Sequence, residues 1–189
     1  MKRIFGAVAL LASSTAAMAQ EVTYKQLEGH TVTASFTYAQ TVRLLEQGNR
    51  IVNNENRQTM TLKLLPDNLI DQNYKIEIVT RDGRQVGGFS GNLTAHLNKP
   101  TKWQHGEMLF TFDGNSLVRL QTFAKGGRKI TVSFTRANGG FACKVEAPFA
   151  KEEGADGGTA TTSQTNRQKI EILSATTVRS DCRVIRSKA

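Results

Sequence analysis

Catalytic spacings are what this sequence most plainly lacks. Its three histidines, His30, His96 and His105, form no H-x-x-x-H pair, and Pro100 falls between the last two, so no compact metal-ligand motif is present. A site built from His96, His105 and Glu107 or Asp113 would need the fold to converge separate loops; scattered surface histidines are the expectation. In Gly88-Phe89-Ser90-Gly91 the second glycine follows the serine directly, whereas a nucleophile elbow places it two positions on. Glu152 and Glu153 are adjacent on a loop-like stretch, which cannot hold two carboxyls at the fixed separation of a glycosidase. No phosphate-cradling Gly/Lys loop leads from a strand into a helix. The expectation is a chain with no catalytic residue, no metal and no cofactor.

Long apolar runs are also scarce. The longest opens the chain, where Lys2 and Arg3 precede an apolar stretch over 4–12 and Ala17-Met18-Ala19 closes the segment. This reads as a secretory signal over 1–19 with an A-x-A cleavage site, leaving 20–189 as a single β domain. The stretch is too short for a membrane anchor, and no cysteine near the cleavage site offers a lipid attachment point. The expected location is periplasmic or secreted, with no transmembrane segment after cleavage. Removing Lys2 and Arg3 takes Lys+Arg from 25 to 23 against 16 Asp+Glu, a net +7.

Cysteine is nearly absent, with Cys143 and Cys182 alone. Each begins a C-x-V pattern, Cys143-Lys144-Val145 and Cys182-Arg183-Val184, so each shares a strand face with an inward valine. Two thiols facing one core in an oxidising compartment predict a single Cys143–Cys182 disulfide, worth roughly 4 kcal/mol by chain-entropy arithmetic. A metal pair or catalytic thiol lacks a neighbouring histidine.

What the sequence does have is alternation of period two. Over 108–149, apolar residues such as Phe110 and Phe112, Ile130, Val132 and Phe134, then Cys143, Val145 and Ala147, alternate with polar ones. Turns at Asp113-Gly114-Asn115, Lys125-Gly126-Gly127 and Asn138-Gly139-Gly140 break the pattern at regular intervals. This predicts an antiparallel meander with one buried face. Similar strands are expected over 31–39, 60–64 and 74–78, with a surface excursion over 53–56 between the first two. Glycines 87, 88 and 91 mark a bulge, a bend or a close approach. The segment 93–103 is ambiguous, 151–167 reads as a flexible loop, and short strands follow around Ile170 and Cys182. No amphipathic helix stands out in 20–189. Nine or ten short strands fit an all-β fold, either a meander barrel or a two-sheet sandwich. An outer-membrane barrel is disfavoured, because the outward positions are mainly Thr, Ser, Lys and Arg.

The blocks Phe112-Asp113-Gly114-Asn115-Ser116-Leu117, Gly126-Gly127-Arg128-Lys129-Ile130-Thr131-Val132-Ser133-Phe134 and Phe141-Ala142-Cys143-Lys144-Val145, with Leu27, Gly29, Val32 and Cys182, resemble small exported all-β proteins of rhizobia and related alphaproteobacteria. The resemblance implies export and a β scaffold, assigns no activity, and is weakest over 65–103.

For function, a basic cluster of Lys125, Arg128, Lys129 and Arg136, extended by Lys144, Arg183 and Arg186, suggests a positive face. Its expected partners are anionic envelope glycan or lipopolysaccharide. Nucleic acid is disfavoured, since Phe110, Phe112, Phe134 and Phe141 look inward and leave no stacking platform. The alternatives are an inhibitor of a hydrolase using the 151–167 loop, or an apolar-ligand carrier in a barrel with Trp103 near its mouth.

Overall fold

The computed structural model describes residues 21–103, 106–122, 127–137, 139–149, 159–163 and 166–187. A short helix, α1 (Tyr24–Leu27), precedes eleven strands: β1 (His30–Leu44), β2 (Arg50–Leu65), β3 (Leu69–Thr80), β4 (Gln85–His96), β5 (Thr101–Trp103), β6 (Gly106–Asp113), β7 (Ser116–Thr122), β8 (Gly127–Ala137), β9 (Gly140–Glu146), β10 (Thr159–Ser163) and β11 (Asn166–Arg186). They form two antiparallel sheets, ordered β10-β11-β1-β2-β3-β4 and β5-β6-β7-β8-β9. The chain meanders through β1 to β4, crosses to the second sheet for β5 to β9, and returns to lay β11 beside β1. Among the described residues no backbone ladder joins the sheets into a closed ring, so of the two architectures compatible with the pattern the sandwich is the one formed, and the barrel is not.

Alternation builds the core as expected. Val32, Ala34, Phe36 and Tyr38 of β1 face Ile130, Val132 and Phe134 of β8, and all are buried in one cluster with Met60, Leu62, Leu64 and Ile70. Cys143 on β9 and Cys182 on β11 are joined, with Cα atoms 5.5 Å apart, and tie one edge of each sheet together. At the opposite side, the once-ambiguous segment 93–103 makes the corner between sheets. There Leu97 bridges to Phe110, and the Asn98 N–H donates to the Phe110 carbonyl at 2.7 Å.

Two features depart from the sequence reading and a third bears it out. First, β2 runs unbroken through 53–56, where a surface excursion was expected. It is a central strand, paired to β1 from Arg50 to Leu64 and to β3 from Asn54 to Leu65. With backbone groups satisfied on both sides, polar side chains do not end it. Second, α1 exists. Its four residues are too few to show helical periodicity, although Thr23-x-x-Gln26 is a capping-box spacing, and the Gln26 Oε1 accepts the Thr23 N–H at 3.0 Å. Third, the glycines of β4 serve two of the purposes expected of them, a bulge and a close approach. The β3 pairing shifts register between Ile78 and Val79 as it passes from Gly87 to Gln85, and a Cβ on Gly91 would lie 2.8 Å from the Trp103 indole. Trp103 is 7% exposed and packs edge-on against Phe89 at 6.3 Å, so it lines no mouth and the carrier alternative loses its residue.

α1 packs over the core beside the β2–β3 turn. Val22 and Leu27 are fully buried, and the Tyr24 hydroxyl donates to the Leu69 carbonyl at 2.6 Å and the Leu65 carbonyl at 3.3 Å. Burial, with Glu28 nearby, pushes the Tyr24 phenol up to about 12 against the partly opposing hydrogen bond to Leu65. The folded state therefore holds the protonated phenol more tightly than the unfolded chain. That stabilisation is complete below the ordinary tyrosine value of about 10 and is lost as pH rises through about 12. Tyr24→Phe is expected to lower stability by about 1 kcal/mol at neutral pH and to flatten the alkaline slope between pH 10 and 12, read by urea unfolding across that window.

Candidate functional site

Beyond the apolar layers, the inward positions of both sheets turn polar at each end of the sandwich, and the two ends differ in burial. At one end they are sealed. Arg119 and Arg128 are 1% and 3% exposed, among buried Gln40, Gln58, Gln72 and Gln121. Arg128 donates from Nη1 to the Tyr74 hydroxyl at 2.8 Å and from Nη2 to the Tyr38 hydroxyl at 2.6 Å, and its guanidinium lies 5.2 Å from the Phe36 ring centroid. Tyr38 passes its own proton to the Ala147 carbonyl at 2.7 Å, and Tyr74 to Gln58. Arg119 donates from Nε to Gln72 at 2.6 Å and from Nη2 to Gln121 at 3.0 Å, with its guanidinium 4.8 Å from the Tyr74 ring centroid. This layer is a structural network inside the fold rather than a surface.

Arg128 therefore corrects the predicted basic face. On β8 it shares the inward side with Ile130, while Lys129 points outward. Lys125 lies outside the described residues. Lys144 is exposed and paired with Glu146 at 2.8 Å; that contact raises the lysine and lowers the carboxylate from their ordinary values. The described members of the cluster thus scatter over an interior layer, an outward face and, for Arg136 and Arg186, the opposite end. His96 ends β4 at the surface, and His105 is outside the described residues, as is most of 151–167, whose described residues form β10 and the start of β11 where a loop was expected. Among the described residues, no group of three or more His, Cys, Asp or Glu is placed to hold a metal ion.

The opposite end is open. Two cross-strand pairs face each other there, one from each sheet: His30 of β1 opposite Arg186 of β11, and Arg136 of β8 opposite Phe141 of β9. Each is one alternation step beyond a core residue, respectively Val32, Val184, Phe134 and Cys143, so the period that fills the core also aims these four at its end. With Gln26 and Glu28 beside α1 and the Gly139-Gly140 turn, they line a groove of about 860 Å³. The His30 ring stands edge-to-face on Phe141 with centroids 5.2 Å apart, and the Arg136 guanidinium lies 5.7 Å from the same ring. Neither Arg136 nor Arg186 has an ion-pair partner among the described residues. A smaller hollow of about 510 Å³ beside β4 carries one cation, Lys75, already 2.8 Å from Glu77.

The groove thus sets two cationic forks and one carboxylate around an aromatic floor, an arrangement suited to holding an anionic group from the open side. Of its residues, Arg136 and Arg186 belonged to the predicted basic face. The missing signal for His30 was the continuation of the alternation, two places before Val32.

No protein-family model, curated protein or solved structure matches this chain. Among the described residues, no helix is long and apolar enough to cross a membrane.

Proposed function

We propose that this chain is a non-catalytic, extracytoplasmic binding domain that holds an anionic envelope polymer, such as an acidic glycan or lipopolysaccharide, at the open end of its sandwich. The observation that carries the reading is the groove of about 860 Å³ in which Arg136 and Arg186 stand without an ion-pair partner among the described residues. The disulfide between Cys143 and Cys182 and the signal-like segment 1–19 support an oxidising compartment as its place of work. Charge-assisted hydrogen bonds to a carboxylate or phosphate give such a site both affinity and salt dependence.

The test is a binding titration of the chain from Gln20 onward with oligogalacturonate and with lipopolysaccharide, at low and at physiological ionic strength. Binding that weakens with salt and falls about 100-fold in Arg136→Ala/Arg186→Ala is expected, with Lys129→Ala/Lys144→Ala unchanged. Wild-type affinity in the groove double variant would refute the reading.

A further inference from the structure

The two nitrogens of His30 are not equivalent. Nδ1 lies 3.1 Å from the Leu27 carbonyl oxygen and 3.3 Å from that of Glu28. Carbonyl oxygens only accept, so Nδ1 carries the proton, and in the neutral ring Nε2 is left as an acceptor. The edge-to-face contact with Phe141 and the anchoring of Nδ1 at the end of α1 hold the ring in this orientation. The Glu28 carboxylate lines the same groove and is likewise an acceptor. Arg136 and Arg186 supply only donors. The groove is therefore two-sided in its chemistry, with donors carrying positive charge and acceptors carrying none or negative charge.

Ligand classes differ in how they meet such a surface. A sulfate monoester on a backbone without hydroxyls, or a doubly ionised phosphate, presents acceptors alone. It would satisfy the arginines, leave His30 Nε2 without a donor, and face repulsion from Glu28. A uronic acid presents a planar carboxylate, which matches a guanidinium fork, and ring hydroxyls that donate. A site whose acceptors go unmet by the wrong ligand discriminates strongly, because those polar groups lose their water without a replacement.

On the reading that the groove is the anion site, we infer that it selects a uronic acid residue. The carboxylate sits on Arg136 and Arg186, and neighbouring sugar hydroxyls donate to His30 Nε2 and Glu28. The groove volume of about 860 Å³ lies within the roughly 300–1,000 Å³ typical of small-ligand sites, so a short oligosaccharide fits. Selectivity then comes from the acceptors, and the bulk of the charge-driven affinity from the arginines.

The experiment titrates the chain from Gln20 onward with oligogalacturonate, fully esterified polyvinyl sulfate and inorganic polyphosphate at equal charge concentration, using the wild type, His30→Phe, His30→Gln and Glu28→Gln. Oligogalacturonate is expected to bind at least about tenfold more tightly than either acceptor-only polyanion. His30→Phe should lose about tenfold toward oligogalacturonate and nothing toward polyphosphate. His30→Gln, whose amide oxygen accepts, should recover part of that loss, which a purely structural role for the ring would not produce. Glu28→Gln should tighten polyvinyl sulfate and polyphosphate binding. Equal affinity for all three polyanions with no effect of His30→Phe would overturn the selectivity and leave the anion site standing. No binding of any of them would overturn both.

Discussion

Arg128→Ala is expected to destabilise the fold by about 3–5 kcal/mol, measured by urea unfolding. The guanidinium bridges the two sheets. It donates to Tyr74 on the first at 2.8 Å and Tyr38 on the same sheet at 2.6 Å, while its own strand belongs to the second. Truncation opens a cavity at a site 3% exposed and removes a donor from each of two buried phenol oxygens. Each unmet buried polar group alone costs about 1–3 kcal/mol, against a total stability of about 5–15 kcal/mol for a domain of this kind. Lys129→Ala, one residue on and outward, should change stability by no more than about 0.5 kcal/mol. A loss below about 1 kcal/mol for Arg128→Ala would mean that the residue faces solvent.

Removing the Cys143–Cys182 link, by reduction or by Cys143→Ala/Cys182→Ala, is expected to cost about 4 kcal/mol, since the bond closes a loop of 39 positions and its loss frees that loop in the unfolded chain. The unfolded state also expands, so the denaturant slope should rise while the midpoint falls. The link has a local consequence as well. Val184 and Arg186 follow Cys182 on β11 and line the groove, so loosening this strand from β9 should weaken polyanion binding several-fold while the protein is still folded. Unchanged unfolding in reductant would show that the sheet edges hold without the bond.

Much of the fold is legible in the sequence, because half-buried strands write their faces in period two and hairpins write their turns in glycine and asparagine. The pair Asp67 and Asn68, both in the left-handed region at φ +60 and +58, closes the β2–β3 hairpin where the sequence ends a strand at Pro66-Asp67-Asn68. The partition into two sheets was not legible, since it depends on which strand edges stay apart, and local alternation is the same in either case. Arg128 is instructive. The alternation from Ile130 places it inward, but its charge argued for the surface, and the phenols and glutamines that make an interior position tolerable come from β1, β2 and β3, far away in sequence. The groove was hidden for a related reason. His30 and Arg136 meet at Phe141 only once the sheet of β1 is packed on the sheet of β8 and β9. Each residue was placed on a strand face by its neighbours; nothing local placed the two faces together.

The most direct test of the binding site is to map it on the folded protein by nitrogen–proton NMR, titrating the chain from Gln20 onward with oligogalacturonate at physiological ionic strength. Perturbations concentrated on His30, Gly139, Gly140, Phe141 and the Nε–H signals of Arg136 and Arg186 are predicted, with Lys129 and Lys144 unmoved. Shifts confined to the outward faces around Lys129 and Lys144, or none at saturating ligand, would contradict the account.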